Sequence, residues 1–222
     1  MQKPADHSPT ETPNVLFLIR AIVRNDAAEV ARLLRSSPSL ARKSLPIGAA
    51  RATASDFFFE EISHYMYAGD TPLHAAAAGY HSEIANQLIQ HGAQVTSRNR
   101  RGAEPLHYAA DGGPGSRNWN PQAQAKIIVL LIRNGANSNV LDKSGVAPLH
   151  RAVRNRCPLA VEALLNNGAA VSLENKSGST PLRLAVHDTG KSGSGLPEAR
   201  LNQKQIIELL LAAGADPQDL RP

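Results

Sequence analysis

The sequence predicts an all-α solenoid of about five repeats, each built from a pair of helices, and three observations support this fold class. A Pro-Leu landmark recurs four times, and its leucines are Leu73, Leu106, Leu149 and Leu182. A Gly-Ala landmark follows each of them, and its glycines are Gly92, Gly135, Gly168 and Gly214. Between the two landmarks, apolar residues recur at helical spacing. A fixed period of this kind is typical of stacked units that bury one continuous core between neighbours.

The spacing of the landmarks sets the repeat boundaries. Consecutive leucines are 33, 43 and 33 residues apart, so the third repeat holds about 10 extra residues, and the fifth holds about 13 by the same comparison. The predicted repeats are 14–43, 69–98, 102–141, 145–174 and 178–217, with an insertion at 44–68. We expect residues 1–13 to be a disordered N-terminal tail and residues 218–222 to be a C-terminal tail.

Each predicted helix has a physical reason. The first repeat lacks the Pro-Leu landmark, but Leu18 with Ile22 and Val30 with Leu34 predict the two helices of a terminal cap. In the later repeats, the proline of the landmark suits the first turn of the first helix, where a missing N–H costs nothing. The glycine of the Gly-Ala landmark then ends the second helix, because glycine adopts the left-handed conformation without strain.

The first helix of each later repeat opens with a similar hexapeptide. The four are Thr71-Pro72-Leu73-His74-Ala75-Ala76, Glu104-Pro105-Leu106-His107-Tyr108-Ala109, Ala147-Pro148-Leu149-His150-Arg151-Ala152 and Thr180-Pro181-Leu182-Arg183-Leu184-Ala185. With the Gly-Ala landmark, they resemble the ankyrin repeat, a unit of 33 residues with the signature T-P-L-H-x-A. The resemblance covers about residues 69–217. It implies β-turn fingers between the helix pairs, and a non-catalytic protein–protein interaction scaffold.

The resemblance also assigns candidate partner-binding residues at the finger tips and on the exposed side of the first helices. They are Tyr67, Arg98, Arg100, Arg101, Asp111, Lys143, Arg154, Asn155, Lys176 and His187. Basic side chains outnumber acidic ones on this concave strip, so an acidic protein surface is the expected partner. Nucleic acid is not expected, because few aromatic side chains accompany the arginines and no known nucleic-acid module is present.

The insertion at 44–68 departs from the ankyrin pattern and is far longer than a β-turn. It holds Phe57, Phe58 and Phe59, three of the four phenylalanines of the chain. Two interpretations stay open. The segment forms either a short helix that fills the first groove or an exposed aromatic finger that docks a partner.

Two further insertions occupy the same place in the third and fifth repeats, at 112–120 and 190–196. The first holds Trp119, a candidate anchor for a partner, whose alternative role is to pack its loop onto the next helix. Asn120 is placed to cap that helix, which is predicted to begin at Pro121. The cleft between the two loops gives an alternative function, a sensor of a small molecule or metabolite.

No constellation in the sequence predicts an enzyme, a cofactor or a metal site. His74, His107 and His150 recur in register, and the resemblance makes them structural hydrogen-bonding residues rather than a metal ladder. The Gly-Lys-Ser of residues 190–192 lacks the preceding strand and the earlier glycine of a phosphate loop. No Ser or Cys nucleophile stands with a base in a recognisable motif.

Composition sets the broad class. Hydrophobic residues make up 42% of the chain and aromatic residues only 4%, so the core must consist of Ala, Leu, Ile and Val. A net charge of +5 permits an acidic partner without requiring nucleic acid. The single cysteine, Cys157, excludes an internal disulfide and a cysteine-based zinc cluster. No apolar run reaches the roughly 20 residues of a membrane span. We therefore expect a cytoplasmic monomer.

Overall fold

A computed structural model describes residues 14–187 and 197–220, and these residues form a two-layered stack of helix pairs. The pairs are α1 (Val15–Val23) with α2 (Ala27–Ser36), α3 (Pro72–Ala78) with α4 (Ser82–Gln90), α5 (Pro105–Ala109) with α6 (Pro121–Arg133), α7 (Pro148–Arg154) with α8 (Pro158–Leu165), and α9 (Pro181–Val186) with α10 (Pro197–Ala212). The first members contact one another in order and form the inner layer, and the second members form the outer layer. The predicted all-α solenoid is confirmed.

The helix starts and ends follow the predicted chemistry. Four inner helices begin at the proline of the Pro-Leu landmark, as expected for a residue without an N–H. The glycines of the Gly-Ala landmark have positive φ, and Gly92 at +87° ends α4 while the N–H of Ala93 donates to the carbonyl of Leu88. Ala75, Ala76 and their neighbours are fully buried, so the inner helices approach closely.

The insertion at 44–68 is a small docked hairpin. Strands β1 (Phe58–Phe59) and β2 (His64–Tyr65) pair antiparallel, and single 3₁₀ turns stand at Ser55–Phe57 and Glu60–Ile62. Of the two interpretations, the short helix is therefore wrong, because the chain forms a two-stranded hairpin and reverses direction between the strands. Phe57 is buried and Phe58 is 38% exposed, so the aromatic segment divides between core and surface.

Backbone hydrogen bonds close the two ends of the insertion on each other and join it to the start of the next repeat. The N–H of Leu45 donates to the carbonyl of Asp70 at 2.7 Å, and the N–H of Ala49 donates to that of Met66 at 2.7 Å. Gly48 lies so close to Tyr67 that a Cβ would stand 2.4 Å from the carbonyl carbon of that residue. The insertion is thus a built part of the inner face.

The loop at 112–120 joins the shortened α5 to α6. Asn120 accepts a hydrogen bond from the N–H of Ala123, so the predicted cap of α6 is confirmed. The indole N–H of Trp119 donates to Gln124, a buried residue of α6, at 2.9 Å. Asn118 donates to the carbonyl of Glu61 at 2.6 Å, which joins this loop to the hairpin.

The structure does not describe every predicted segment. The predicted N-terminal tail 1–13, the loop 190–196 and the Gly-Lys-Ser of 190–192 lie outside the described residues, as do residues 221 and 222. Within residues 14–187 and 197–220, none of the helices combines the length and the apolar character that crossing a bilayer requires.

Candidate interaction surface

The tips of the β-turn fingers are joined by backbone hydrogen bonds into a continuous row. The N–H of Arg100 donates to Ala68 of the preceding finger at 2.9 Å. The N–H of Lys143 donates to Arg101 at 2.9 Å, and the N–H of Lys176 donates to Ser144 at 3.1 Å. Basic residues of successive fingers are therefore held next to one another on a fixed backbone.

One polar side chain shapes each of three fingers. The Oδ1 of Asn99 accepts from the N–H groups of Arg101 and Ala103, at 2.8 and 3.1 Å. Asp142 and Asn175 make the same pair of bonds in the next two fingers. A side chain that satisfies two backbone donors fixes the local turn, because Asn and Asp compete well for such groups.

The exposed basic residues of the concave strip have no acidic partner in the described part of the chain. They are Arg100, Arg101, Lys143, Arg154 and Lys176. No carboxylate of residues 14–187 or 197–220 lies within ion-pair distance of these five side chains. Arg98 differs, since its Nε donates to Glu104 at 3.0 Å.

Two acidic residues near the strip are engaged inside the protein by one arginine. Arg151 donates through Nη1 to Asp111 at 2.6 Å and through Nη2 to Asp142 at 3.0 Å. Nε2 of His64 lies 3.3 Å from Asp111, and Nδ1 of the same ring lies 2.7 Å from the carbonyl of Tyr65. Burial alone would raise the pKa of Asp111, but Arg151 and His64 outweigh it and hold that pKa well below its usual range. Both carboxylates at this point of the concave floor are therefore bonded to the single guanidinium of Arg151.

Aromatic side chains of the hairpin stand beside the basic row. Phe58 and Tyr65 are 38% and 41% exposed, and their ring centroids are 4.7 Å apart. The ring centroids of Tyr67 and Tyr65 are 6.5 Å apart. The guanidinium of Arg101 stands 4.5 Å from the centroid of the Tyr67 ring. The arginine is thereby oriented by a cation–π contact. Arg100 also approaches this ring, at 5.4 Å.

The other predicted partner-binding residues lie at different depths. Trp119 is half-buried and packs its loop onto α6, which is the alternative role given above, and its part in partner binding stays a prediction. Asn155 is half-buried and donates to Asp111 at 3.3 Å. His187 is exposed at the end of α9, and its carbonyl accepts from the fully buried Arg156. Asp111 itself is engaged inside the protein.

The three histidines in register act as structural bridges between repeats, as predicted. Each Nδ1 accepts from the backbone N–H at the start of its own inner helix. The opposite nitrogen donates to a carbonyl of the next repeat: Ala103 for His74, Val146 for His107 and Ser179 for His150, at 3.1, 3.0 and 3.1 Å. Burial lowers the pKa of all three, so the rings are neutral and suited to this pattern. Among the described residues, no group of three His, Cys, Asp or Glu could hold a metal ion.

Cys157 is expected to resist thiol reagents in the folded protein. The thiol is fully buried at the start of α8, against the carbonyl of Gly112, and burial raises its pKa. The thiolate is the reactive form, so the native protein should react with a chromogenic disulfide reagent far more slowly than the urea-unfolded chain. Equal rates in the two states would contradict the buried placement.

Sequence reasoning missed His64, Tyr65 and Arg151. The signal for Arg151 was its place in the hexapeptide, where the variable position faces the inner surface: Tyr108 and Arg151 occupy this position in adjacent repeats, and both are largely buried. No spacing in the sequence places His64 beside Asp111, because the two residues belong to different insertions and meet only in the folded chain.

Comparison with known proteins identifies the family. The family model described as ankyrin repeats (3 copies) matches residues 18–118 and again residues 121–220, which together span most of the chain. The chain belongs to the ankyrin-repeat family. One similar relative is an ankyrin repeat protein of fowlpox virus (strain NVSL), 28% identical over 107 residues, which cover 39% of this chain and 76% of the relative. Ankyrin repeats generally serve as protein–protein interaction modules and are typically non-catalytic.

Proposed function

We propose that this protein is a non-catalytic scaffold that binds a partner protein through the concave face of finger tips and inner helices, and that the partner presents an acidic surface. The observation that carries the proposal is the row of exposed basic side chains without acidic partners among the described residues. Complementary charge steers association and excludes partners of like charge. The binding step needs surface complementarity and no covalent chemistry.

The ion pairs within the protein strengthen the charge asymmetry of this face. By the repeat register, the strip holds three acidic residues, Asp70, Asp111 and Glu174. Asp70 is fully buried and Asp111 is paired with Arg151. Glu174 alone of the three is exposed. Of the six basic residues, only Arg98 pairs with a carboxylate in the described chain. The face therefore offers five exposed cations to a partner.

Charge reversal tests this proposal. In the variant Arg101→Glu/Lys143→Glu/Arg154→Glu, affinity for partners captured from a nuclease-treated extract of the native cell should fall more than about tenfold. The three side chains are exposed, so far-UV circular dichroism should not change. Captured proteins are quantified by mass spectrometry, and the binding of each is then measured at two salt concentrations.

A matched control separates this face from net charge. The variant Arg35→Glu/Lys126→Glu/Arg133→Glu changes the charge by the same amount on exposed positions of the outer helices. It should capture the same proteins as the unaltered chain. Equal capture by the concave variant, or equal loss in both variants, would reject the concave basic face as the binding surface.

A further inference from the structure

The hairpin forms one wall of a cleft on the concave face, and this wall is unlike the rest of that face. The hairpin cleft is defined here by Phe58, Tyr65 and Tyr67 on the hairpin side, Arg101 at a finger tip and Arg154 on α7. Tyr108 and the Asp111–Arg151 pair also line it. Apolar rings, and cations without a carboxylate partner among the described residues, thus face a single concavity.

The aromatic wall is preformed. Met66 is fully buried beneath it, and Phe57 and Ile62 are also buried, so the hairpin has its own attachment to the core. The ring of His64 contacts that of Tyr108 at 4.4 Å and holds the hairpin over α5. A rigid wall loses little conformational entropy on binding, which favours affinity per contact. Phe58 and Tyr65 nevertheless keep more than a third of their surface exposed.

The electrostatic character of the cleft is positive. No carboxylate of the described residues pairs with Arg101 or Arg154, and the carboxylate of Asp111 is bonded to Arg151. Glu60 at the turn of the hairpin does not line the cleft. An anionic group that enters therefore meets two arginines whose charges are uncompensated within the described chain, beside an apolar wall.

We propose that the hairpin cleft docks an extended acidic segment of the partner that carries one aromatic or large aliphatic side chain. That side chain packs on Phe58 and Tyr65, and the flanking carboxylates pair with Arg101 and Arg154. The inference rests on the proposed function and adds the chemistry of the segment that is recognised. It also gives the 44–68 insertion a role, since an ankyrin stack without it would have the cations but not the aromatic wall.

A single-stranded nucleic acid would also combine anions with flat rings, but the geometry favours a peptide. The rings of Phe58 and Tyr65 contact each other at an interplanar angle of 53°. A base cannot enter between them, and the pair does not offer the successive parallel faces on which bases stack. One side chain of a peptide fits this surface better.

Two matched peptides test the proposal by fluorescence anisotropy. Both are labelled, nine-residue peptides of Gly, Ser, Asp and Glu with equal charge, and they differ only in a central Phe or Ala. The unaltered protein should bind the Phe peptide about tenfold more tightly, as expected for burial of one aromatic ring. Phe58→Ser/Tyr65→Ser should bind both peptides as weakly as the unaltered protein binds the Ala peptide. Arg101→Glu/Arg154→Glu should bind neither.

Controls keep the outcome decisive. Ile47→Ser removes another exposed apolar side chain of the same insertion, 66% exposed and outside the cleft, and should leave the tenfold preference intact. Phe58→Ser alone, with unchanged thermal unfolding, replaces the double variant if that variant unfolds.

Each contrary result overturns the inference in a recognisable way. Equal binding of the two peptides would reject the aromatic subsite. Failure of both peptides to bind would reject it as well. Neither result contradicts the proposal of an acidic partner. Displacement of the Phe peptide by oligothymidylate of equal charge at equal concentration would assign the cleft to nucleic acid. Failure of the proposed function is a separate outcome, since it appears as unchanged extract capture by the charge-reversed concave variant.

Discussion

Replacing Arg151 with methionine is expected to lower the free energy of unfolding by about 3–5 kcal/mol, because it removes one partner of a buried ion network. The Arg151 side chain is 13% exposed and bridges Asp111 and Asp142. Methionine replaces the aliphatic stem of arginine but carries no charge. Among the described residues, the carboxylate of Asp111 would then keep His64 and Asn155 as hydrogen-bonding neighbours. The measurement is urea unfolding followed by far-UV circular dichroism.

The same helix provides the control for this substitution. Arg154 is exposed on α7, three residues after Arg151, and Arg154→Met should change the free energy of unfolding by less than about 0.5 kcal/mol. The double variant Arg151→Met/Asp111→Asn should recover part of the loss, because it removes the carboxylate that was left unpaired. Similar stability of Arg151→Met and Arg154→Met would show that the network contributes little.

Acid should destabilise this protein, and the titration of His107 makes one contribution of defined size. Burial, with the nearby charge of Arg151, lowers the pKa of His107 to about 4, against about 6.5 in an unfolded chain. Between these values the unfolded chain binds a proton and the native protein does not. Stability is therefore complete above pH 6.5 and falls as the pH decreases towards 4, by roughly 3 kcal/mol from this residue.

The variant His107→Gln isolates that contribution. Glutamine can accept from the N–H of Glu104 and donate to Val146 as the imidazole does, but it does not titrate. Urea unfolding at a series of pH values from 7 to 4.5 should show a shallower loss of stability for the variant. His74 and His150 add to the slope in the same direction, since burial lowers the pKa of both. Parallel pH profiles for the two proteins would contradict the buried neutral state of His107.

The repeat architecture could be predicted because its determinants are local. Prolines at helix starts, glycines at helix ends and apolar spacing act within one repeat, and neighbouring repeats use the same rules. Asn120 capping α6 followed from the same reasoning, and the resemblance to the ankyrin repeat implied the hydrogen-bonding role of the histidines. The basic residues of the finger tips were also accessible from sequence, since the repeat register fixes which positions are exposed.

The hairpin could not be predicted for a physical reason. Its aromatic run is compatible with helix, strand or loop. The secondary structure that it adopts depends on which inner helices the insertion packs against. Burial of Phe57 and Met66, and the contact between His64 and Tyr108, exist only once the stack is assembled. The assignment of Asp111 to partner binding could not anticipate its engagement with Arg151 for the same reason.

The sequence by itself determined the family, the register of the repeats and the basic character of the concave strip, because each depends on residue types at a fixed period. The tertiary structure alone decided which charges are left for a partner. Asp111 meets His64 across 47 positions and Arg151 across 40, and these distant contacts engage its carboxylate inside the protein. Tertiary structure also decided that Phe58 and Tyr65 lie beside Arg101. Packing of the insertion onto the inner layer, and not any local pattern, sets the position of these rings.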